Sequence, residues 1–413
     1  MPGQHHTIVM VATSYPRFPG DNVGSFMEPI AHGVAARGHE VHLVAPWHPA
    51  VARGTREGNV HFHFFRYAPT DSLNVFGYAG ALRADVSLRP TAYAVAPLAL
   101  MAGALMARRV ARTTRATVVH GHWVIPGGAI ALLAGTGLPL VVSLHGSDVY
   151  VAEQSRVAAR VARAVFSRAG WVTACSNDLL ARALRLGADA ETSEVVPYGV
   201  DPLRFRPDPG SRAAVRARFG LPAAVPVIFT AGRFVRKKGF EYLVEAMAAV
   251  ARRRPDACLL LAGSGDLEPE YRGLASSLGV GDRIVWPGLL SHDDIGACLA
   301  AADVVVVPSV RDSSGNVDGL PNVVLEAMAS GTPLVTTPAG GIGRVAVNED
   351  TALVVPERDV ASLGRAIETL LDDAELGRRL GGRARALVEQ HHTWDGVAAS
   401  FEAAYNHATV RPR

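Results

Sequence analysis

The sequence predicts an α/β protein of two consecutive domains, each a parallel β-sheet with helices on both faces. Three observations carry that expectation. Its 413 residues exceed one typical domain. Short apolar runs alternate throughout with longer amphipathic segments, as when buried strands are joined by crossover helices. One proline-rich stretch, 201–211, interrupts the rhythm and cannot continue a helix or an inner strand. With 49% apolar and 19% charged residues, the chain has the composition of a globular protein rather than a disordered one.

In chain order, the first series of strand-like runs is Thr7 to Thr13, Val41 to Pro46, Thr117 to His120, Pro139 to Leu144, Trp171 to Cys175 and Val195 to Pro197. DPLRFRPDPGS, 201–211, follows and reads as the interdomain linker. The second series is Val225 to Ala231, Ala257 to Ala262, Ile284 to Trp286, Val304 to Pro308, Pro333 to Thr337 and Ala352 to Val355. The uncharged stretch Thr91 to Ala107 is short for a membrane span and carries Pro97 and Gly103, so it reads as a buried helix. TWDGVAASFEAAYNHA closes the chain as an amphipathic helix with Trp394, Val397, Phe401 and Tyr405 on its apolar face.

Charge narrows the function classes. A net charge of +3 excludes the strongly basic footprint of a nucleic-acid binder. The balance is uneven: residues 1–200 hold 17 arginines against 12 acids, whereas 201–413 hold 24 basic and 26 acidic residues. The only lysines are the adjacent Lys237 and Lys238. Cys175, Cys258 and Cys298 are widely separated, which fits a reducing compartment and encodes neither a disulfide framework nor a cysteine-based zinc site. MPGQHH leads directly into TIVMVAT without the pattern of a secretory leader, so the expected location is cytoplasmic.

In open α/β sheets, ligands bind beyond the carboxyl ends of the strands. The unusual clusters fall there: SYPRFPGDNVGSF, HGSDV, GRFVRKKGFEYL and PSVRDSSGNVDGLPNVVLEAMASG. Facing strand ends of two domains would form a cleft for the ligand. Arg233 and Lys238, five residues apart before a helical pattern, would bring two cations and a helix N-terminus to one spot, which suits a diphosphate. In a chain that otherwise uses arginine, a compact ammonium here suits point contact with phosphate, and Lys238 is favoured over Lys237. Asp318 and Glu326 are separated by seven residues, which include Gly319, Leu320 and Pro321, with Pro321 suited to the first turn of the helix that carries Glu326. Carboxylates accept hydrogen bonds from paired hydroxyls, so these acids could hold the two ends of a sugar nucleotide.

The GRxxxxKG turn, the acid-x7-acid segment running into EAMASGTPLVTT, the HGSDV loop and VPYGVDPLRF together resemble the retaining glycosyltransferases of family 4, which have the GT-B fold. The resemblance covers nearly the whole chain. It implies two facing Rossmann-like domains, residues 1–203 with 391–413 packing back, and 204–390. It implies a nucleoside-diphosphate sugar donor, UDP- or GDP-linked, transfer with retention, and no metal or further cofactor. By the same resemblance Arg233 and Lys238 hold the diphosphate, Glu326 the ribose hydroxyls and Asp318 the transferred sugar, with the Gly319 and Leu320 N–H groups beside it. Asp318 stands where the family more often has Glu, one methylene longer.

Gly20 and Gly24 would allow close backbone approach to the donor. His145 matches the family histidine that helps bind the sugar beside the anomeric centre. His120 and His122 lie i,i+2 on one strand face and would need a third ligand to hold a metal, so a structural or acceptor-side role is expected. Catalysis would rest on preorganised stabilisation of charge building on the β-phosphate. Helical patterns place Arg108, Arg109, Arg112, Arg115, Arg156, Arg160 and Arg163 beside apolar faces, which permits peripheral contact with an anionic membrane and a glycan or lipid-linked acceptor. The alternatives are a sugar-nucleotide epimerase of similar fold and a non-enzymatic sugar-binding protein. A pyridoxal-dependent phosphorylase is disfavoured, because both lysines lie in the diphosphate turn.

Overall fold

The computed structural model describes residues 4–410 except Asn22, 79–81, 84–86 and Arg89. The chain forms two compact units, Met1–Pro197 with Trp394–Arg413, and Tyr198–Thr393. Residues 198–203 and 391–393 therefore fall in the second unit, while 1–3 and 411–413 lie outside the described residues.

The first unit runs β1 (Thr7–Val11), α1 (Met27–Ala36), β2 (Glu40–Pro46), β3 (Arg56–Glu57), β4 (Val60–Phe65), β5 (Leu82–Arg83), β6 (Ser87–Leu88), α2 (Pro90–Thr113), β7 (Val118–His122), α3 (Ala129–Leu133), β8 (Leu140–Leu144), α4 (Ser147–Gln154), α5 (Arg156–Phe166), β9 (Ala169–Ala174), α6 (Asn177–Arg185) and β10 (Ser193–Val195). Its sheet order is β10-β9-β8-β7-β1-β2-β4-β3, parallel except for the short β3. The chain builds outward from β1 in one direction and then from β7 in the other, so the strand order reverses between these two neighbours. The inner strands β1, β7 and β8 are buried along their length, which explains the apolar character of β1 and β8, while β7 also buries His120 and His122. The strand β4 has no counterpart among the expected runs. Its VHFHFF segment lies one strand from the sheet edge, and its two histidines interrupt the apolar run.

The second unit runs α7 (Ser211–Phe219), β11 (Val227–Ala231), α8 (Phe240–Arg253), β12 (Cys258–Ala262), α9 (Glu268–Ser277), β13 (Ile284–Val285), α10 (His292–Ala301), β14 (Val304–Val307), α11 (Asn322–Ala329), β15 (Leu334–Thr336), β16 (Leu353–Val354), α12 (Val360–Asp372) and α13 (Ala374–His391). Its parallel sheet has the order β13-β12-β11-β14-β15-β16, again with one reversal, between β11 and β14. The chain then returns to the first unit as α14 (Trp394–Val410), whose buried Val397, Phe401 and Tyr405 join the core of β1, β2 and α1.

Three expectations need correction. The stretch read as a buried helix is part of the longer α2, which continues through Pro97 and buries only one face. Leu98, Met101 and Leu105 are each more than half exposed. Among the described residues, it is the one helix long and apolar enough to cross a membrane by length and composition. Arg115 lies beyond the end of α2, with a left-handed backbone (φ 54°), so it does not belong to that helix face. The proline-rich 201–211 stretch is not a free linker: Phe205 is buried, and the Arg385 guanidinium donates to the carbonyls of Phe205 (3.3 Å) and Pro202 (3.4 Å) within the second unit.

Candidate active site

In the second unit, the loops leaving β11 and β14 emerge at the strand reversal, the usual place for a ligand in such a sheet. Close backbone contact locks the two loops together. Gly239 has φ +64°, and a Cβ there would stand 2.1 Å from the Pro308 carbonyl oxygen. Val310 N–H donates to the Lys237 carbonyl (2.9 Å). The β14 loop is shaped by Asp312, whose carboxylate accepts from the N–H groups of Ser314 (2.9 Å) and Asn316 (3.0 Å). Gly340, on the loop after β15, presses on the Asp318 carbonyl so tightly that a Cβ would approach to 1.9 Å. Pro321 stands at the cap position immediately before α11, rather than inside its first turn.

This packing brings Lys237, Lys238 and Asp318 together. Lys238 Nζ lies 2.7 Å from one Asp318 carboxylate oxygen and Lys237 Nζ 3.3 Å from the other. Burial would lift the Asp318 pKa, but the two ammonium groups outweigh it and hold the carboxyl down to about 2. Two lysines on one carboxylate leave a surplus of positive charge beside the N-terminus of α8. Glu326, one turn into α11, is also buried, with no such compensation. Burial dominates the opposing pull of Arg204 and Lys238 and pushes its carboxyl up to about 7. His292 Nε2, at the start of α10, is 3.7 Å from Glu326 Oε1. Gly319 and Leu320 connect the two acids, and Arg233 is exposed on the β11 loop.

The structure adds Lys237, ranked behind Lys238 from the sequence, and His292 and Ser309, which no motif marked. The lysine doublet was itself a signal for Lys237, which is buried, whereas its favoured neighbour is only partly so. His292 is brought in by tertiary packing from another element. Ser309 follows β14, fully buried, with Oγ lacking a hydrogen-bond partner among the described residues.

In the first unit, the loops after β1, β7 and β8 surround a line of histidines. His145 Nε2 lies 2.9 Å from His122 Nδ1, and its ring packs against Phe26 and Trp123. His120 and His122 do face the same way, with ring centroids 4.0 Å apart. His120 engages both ring nitrogens, with Tyr405 OH (2.8 Å) and Ser143 Oγ (2.7 Å), so neither is open to a metal. Burial pushes His120 and His145 down to about 3 and His122 well below its ordinary value, so all three are neutral imidazoles at physiological pH. Asp148 anchors the HGSDV loop by accepting from the N–H groups of Val124 (2.8 Å) and Gly146 (3.1 Å), while burial lifts its carboxyl to about 6. Gly20 and Gly24 both adopt positive φ, and Gly24 packs closely on Ser14. The loop is fastened by an Arg17–Asp21 ion pair (2.6 Å).

Residues 211–387 match the family described as glycosyl transferases group 1, and residues 23–204 match glycosyltransferase family 4. A GDP-mannose-dependent alpha-(1-6)-phosphatidylinositol monomannoside mannosyltransferase of Mycobacterium tuberculosis is 34% identical over 272 residues, 66% of this chain and 70% of the relative. A 2-deoxystreptamine glucosyltransferase of Streptomyces kanamyceticus is 30% identical, over 64% of this chain and 70% of the relative. Among solved structures, sucrose-phosphate synthase of Thermosynechococcus elongatus matches with a TM-score of 0.77 at 22% identity, covering 97% of this chain and 98% of that one. An Anabaena protein in complex with UDP and glucose matches with a TM-score of 0.73 at 19% identity, covering 96% and 98%. The likeness in fold is to GT-B glycosyltransferases, and both units have the parallel α/β sheets of that fold.

Proposed function

The chain belongs to glycosyltransferase family 4, and we propose that it transfers mannose from GDP-mannose, with retention at the anomeric carbon and without a metal ion or cofactor, to a hydroxyl of a lipid-linked glycan. The observation that carries this reading is the buried pairing of Lys237 and Lys238 with Asp318 at the strand reversal, on the loop that leads into the helix carrying the buried Glu326. The cationic surplus suits a diphosphate. Glu326, when ionised, suits the two ribose hydroxyls of a nucleotide, whose O–H groups would stabilise its buried charge.

In this mechanism Lys238 and Arg233, with the N-terminus of α8, stabilise the negative charge that grows on the leaving β-phosphate. Asp318 and the N–H groups of Gly319 and Leu320 orient the transferred sugar. Transfer is front-face, with the leaving phosphate taking the acceptor proton on the side from which the acceptor attacks, which is one route to retention. In the first unit, neutral His145 suits a hydrogen bond to a sugar hydroxyl rather than charge stabilisation, and Gly20 and Gly24 leave the backbone open to a ligand. GDP-mannose is favoured over a UDP-sugar by the curated mannosyltransferase relative. The exposed apolar Leu98, Met101 and Leu105 of α2, continued by Arg108, Arg109 and Arg112 along the helix, suit docking on an anionic bilayer from the cytoplasmic side.

One assay tests the reading: GDP-mannose and UDP-glucose are offered separately with mannosylated phosphatidylinositol in anionic vesicles, without added divalent cation. The expected result is α-linked mannose on the lipid from GDP-mannose and salt-sensitive flotation of the protein with the vesicles. Release of an epimerised sugar nucleotide without acceptor, or an inverted product, would overturn the transfer mechanism. Failure to float would overturn membrane docking.

A further inference from the structure

We propose that the edge of the first unit's sheet holds a zinc-class divalent ion on Glu40, His42 and His61, with His63 supporting it from the second layer. The site follows from strand geometry. Side chains two apart on a strand share a face, which puts Glu40 with His42 on β2 and His61 with His63 on β4. The two strands are parallel neighbours with His42 in register with His61, so the four side chains converge.

The distances match a metal's inner ligands. Glu40 Oε1 is 3.3 Å from His42 Nε2 and 3.3 Å from His61 Nε2, and all three ligand atoms lie within 4.8 Å of one another. Around a tetrahedral zinc with bonds of about 2.0–2.1 Å, neighbouring ligand atoms stand about 3.3 Å apart. The His42 and His61 rings stack with centroids 4.6 Å apart. His42 is 4% exposed, and its Nε2, aimed at Glu40, has no hydrogen-bond partner among the described residues.

The second layer also fits. Metal-bound histidines usually donate their other ring N–H to a fixed acceptor, which sets the tautomer. His42 Nδ1 is 3.1 Å from His63 Nε2, so donation there turns the Nε2 lone pair of His42 toward the ion. Arg56, the register partner of His61 on β3, turns its guanidinium onto the Gly58 carbonyl (2.6 Å). By contrast, the nearby group of Glu28, His32 and Glu57 already has the Arg53 guanidinium on both carboxylates, which argues against a cation there. With three protein ligands and Glu40 partly exposed, water would fill the fourth position. The ion would clip β4 to β2 at their amino ends, away from the strand carboxyl ends that carry the candidate active site.

The test uses chelator-treated, untagged protein titrated with zinc chloride against a chromophoric competitor. One zinc per chain is expected, with visible absorption of tetrahedral intensity when cobalt(II) replaces it. The Glu40→Ala/His61→Ala double variant should bind at least about 100-fold more weakly, and His63→Leu about 10–100-fold more weakly. Because Glu40 and His61 are partly exposed, the double variant is expected to fold, as judged by circular dichroism. No saturable binding by the unaltered chain, or equal affinity in a folded double variant, would overturn the site; if the double variant does not fold, unchanged affinity in His63→Leu does so.

Discussion

Asp318 and Glu326 are both buried acids on one stretch of chain, and their surroundings drive them in opposite directions. Asp318 is held low by two lysines, so its contribution to stability is present above the ordinary aspartate range and lost as pH falls through about 2. Glu326 is raised, so its contribution is full below the ordinary glutamate range and lost as pH rises through about 7. The ionised form that costs stability is the form that accepts hydrogen bonds from ribose. Between pH 6 and pH 8 its ionised fraction rises about 10-fold. Donor affinity, measured by calorimetry, should strengthen by a similar factor over that range. Glu326→Gln should flatten the profile, and an unchanged pH dependence in that variant would refute the assignment. At this scale the motif residues were legible in the sequence because they sit in one loop and its helix. The difference between the two acids was not, since it depends on lysines supplied by the loop after another strand.

Elements place these residues, and Gly239 is where placement is most exposed to a single change. A methyl there must adopt a left-handed backbone and would overlap the Pro308 carbonyl, which separates the two site loops. Gly239→Ala should cost more than about 2 kcal/mol in urea unfolding and abolish donor binding. Gly279→Ala has a similar φ of +70° but open space around its Cβ, so it should cost about 1 kcal/mol and leave donor binding intact. Equal costs for the two would show that loop contact contributes nothing. Each of the twelve expected strand runs overlaps an observed strand, Val195 to Pro197 only at Val195, because most strands of these parallel sheets are inner ones, apolar on both faces. The missed strand β4 and the exposed side of α2 depart from that rule. A strand next to the sheet edge need not be apolar throughout, and apolarity alone does not say which side of a helix is covered.

For the whole molecule, the sequence indicated two α/β units, and each one's sheet has its loops at a strand reversal, where the candidate residues gather. The proline-rich segment misled as a linker because its prolines stop regular structure without preventing burial, as docked Phe205 shows. His292 and Arg204 reach the surroundings of Glu326 only through the fold, and no spacing in the sequence marks them. The central claim is that charge on a departing nucleoside diphosphate is stabilised in the second unit, at the Lys238 turn. The most direct measurement is the single-turnover rate of mannosyl transfer from GDP-mannose by Lys238→Ala, beside its urea unfolding curve. The account predicts a rate about 100- to 1000-fold lower with the native fold retained, and a near-unchanged rate in that variant would contradict it.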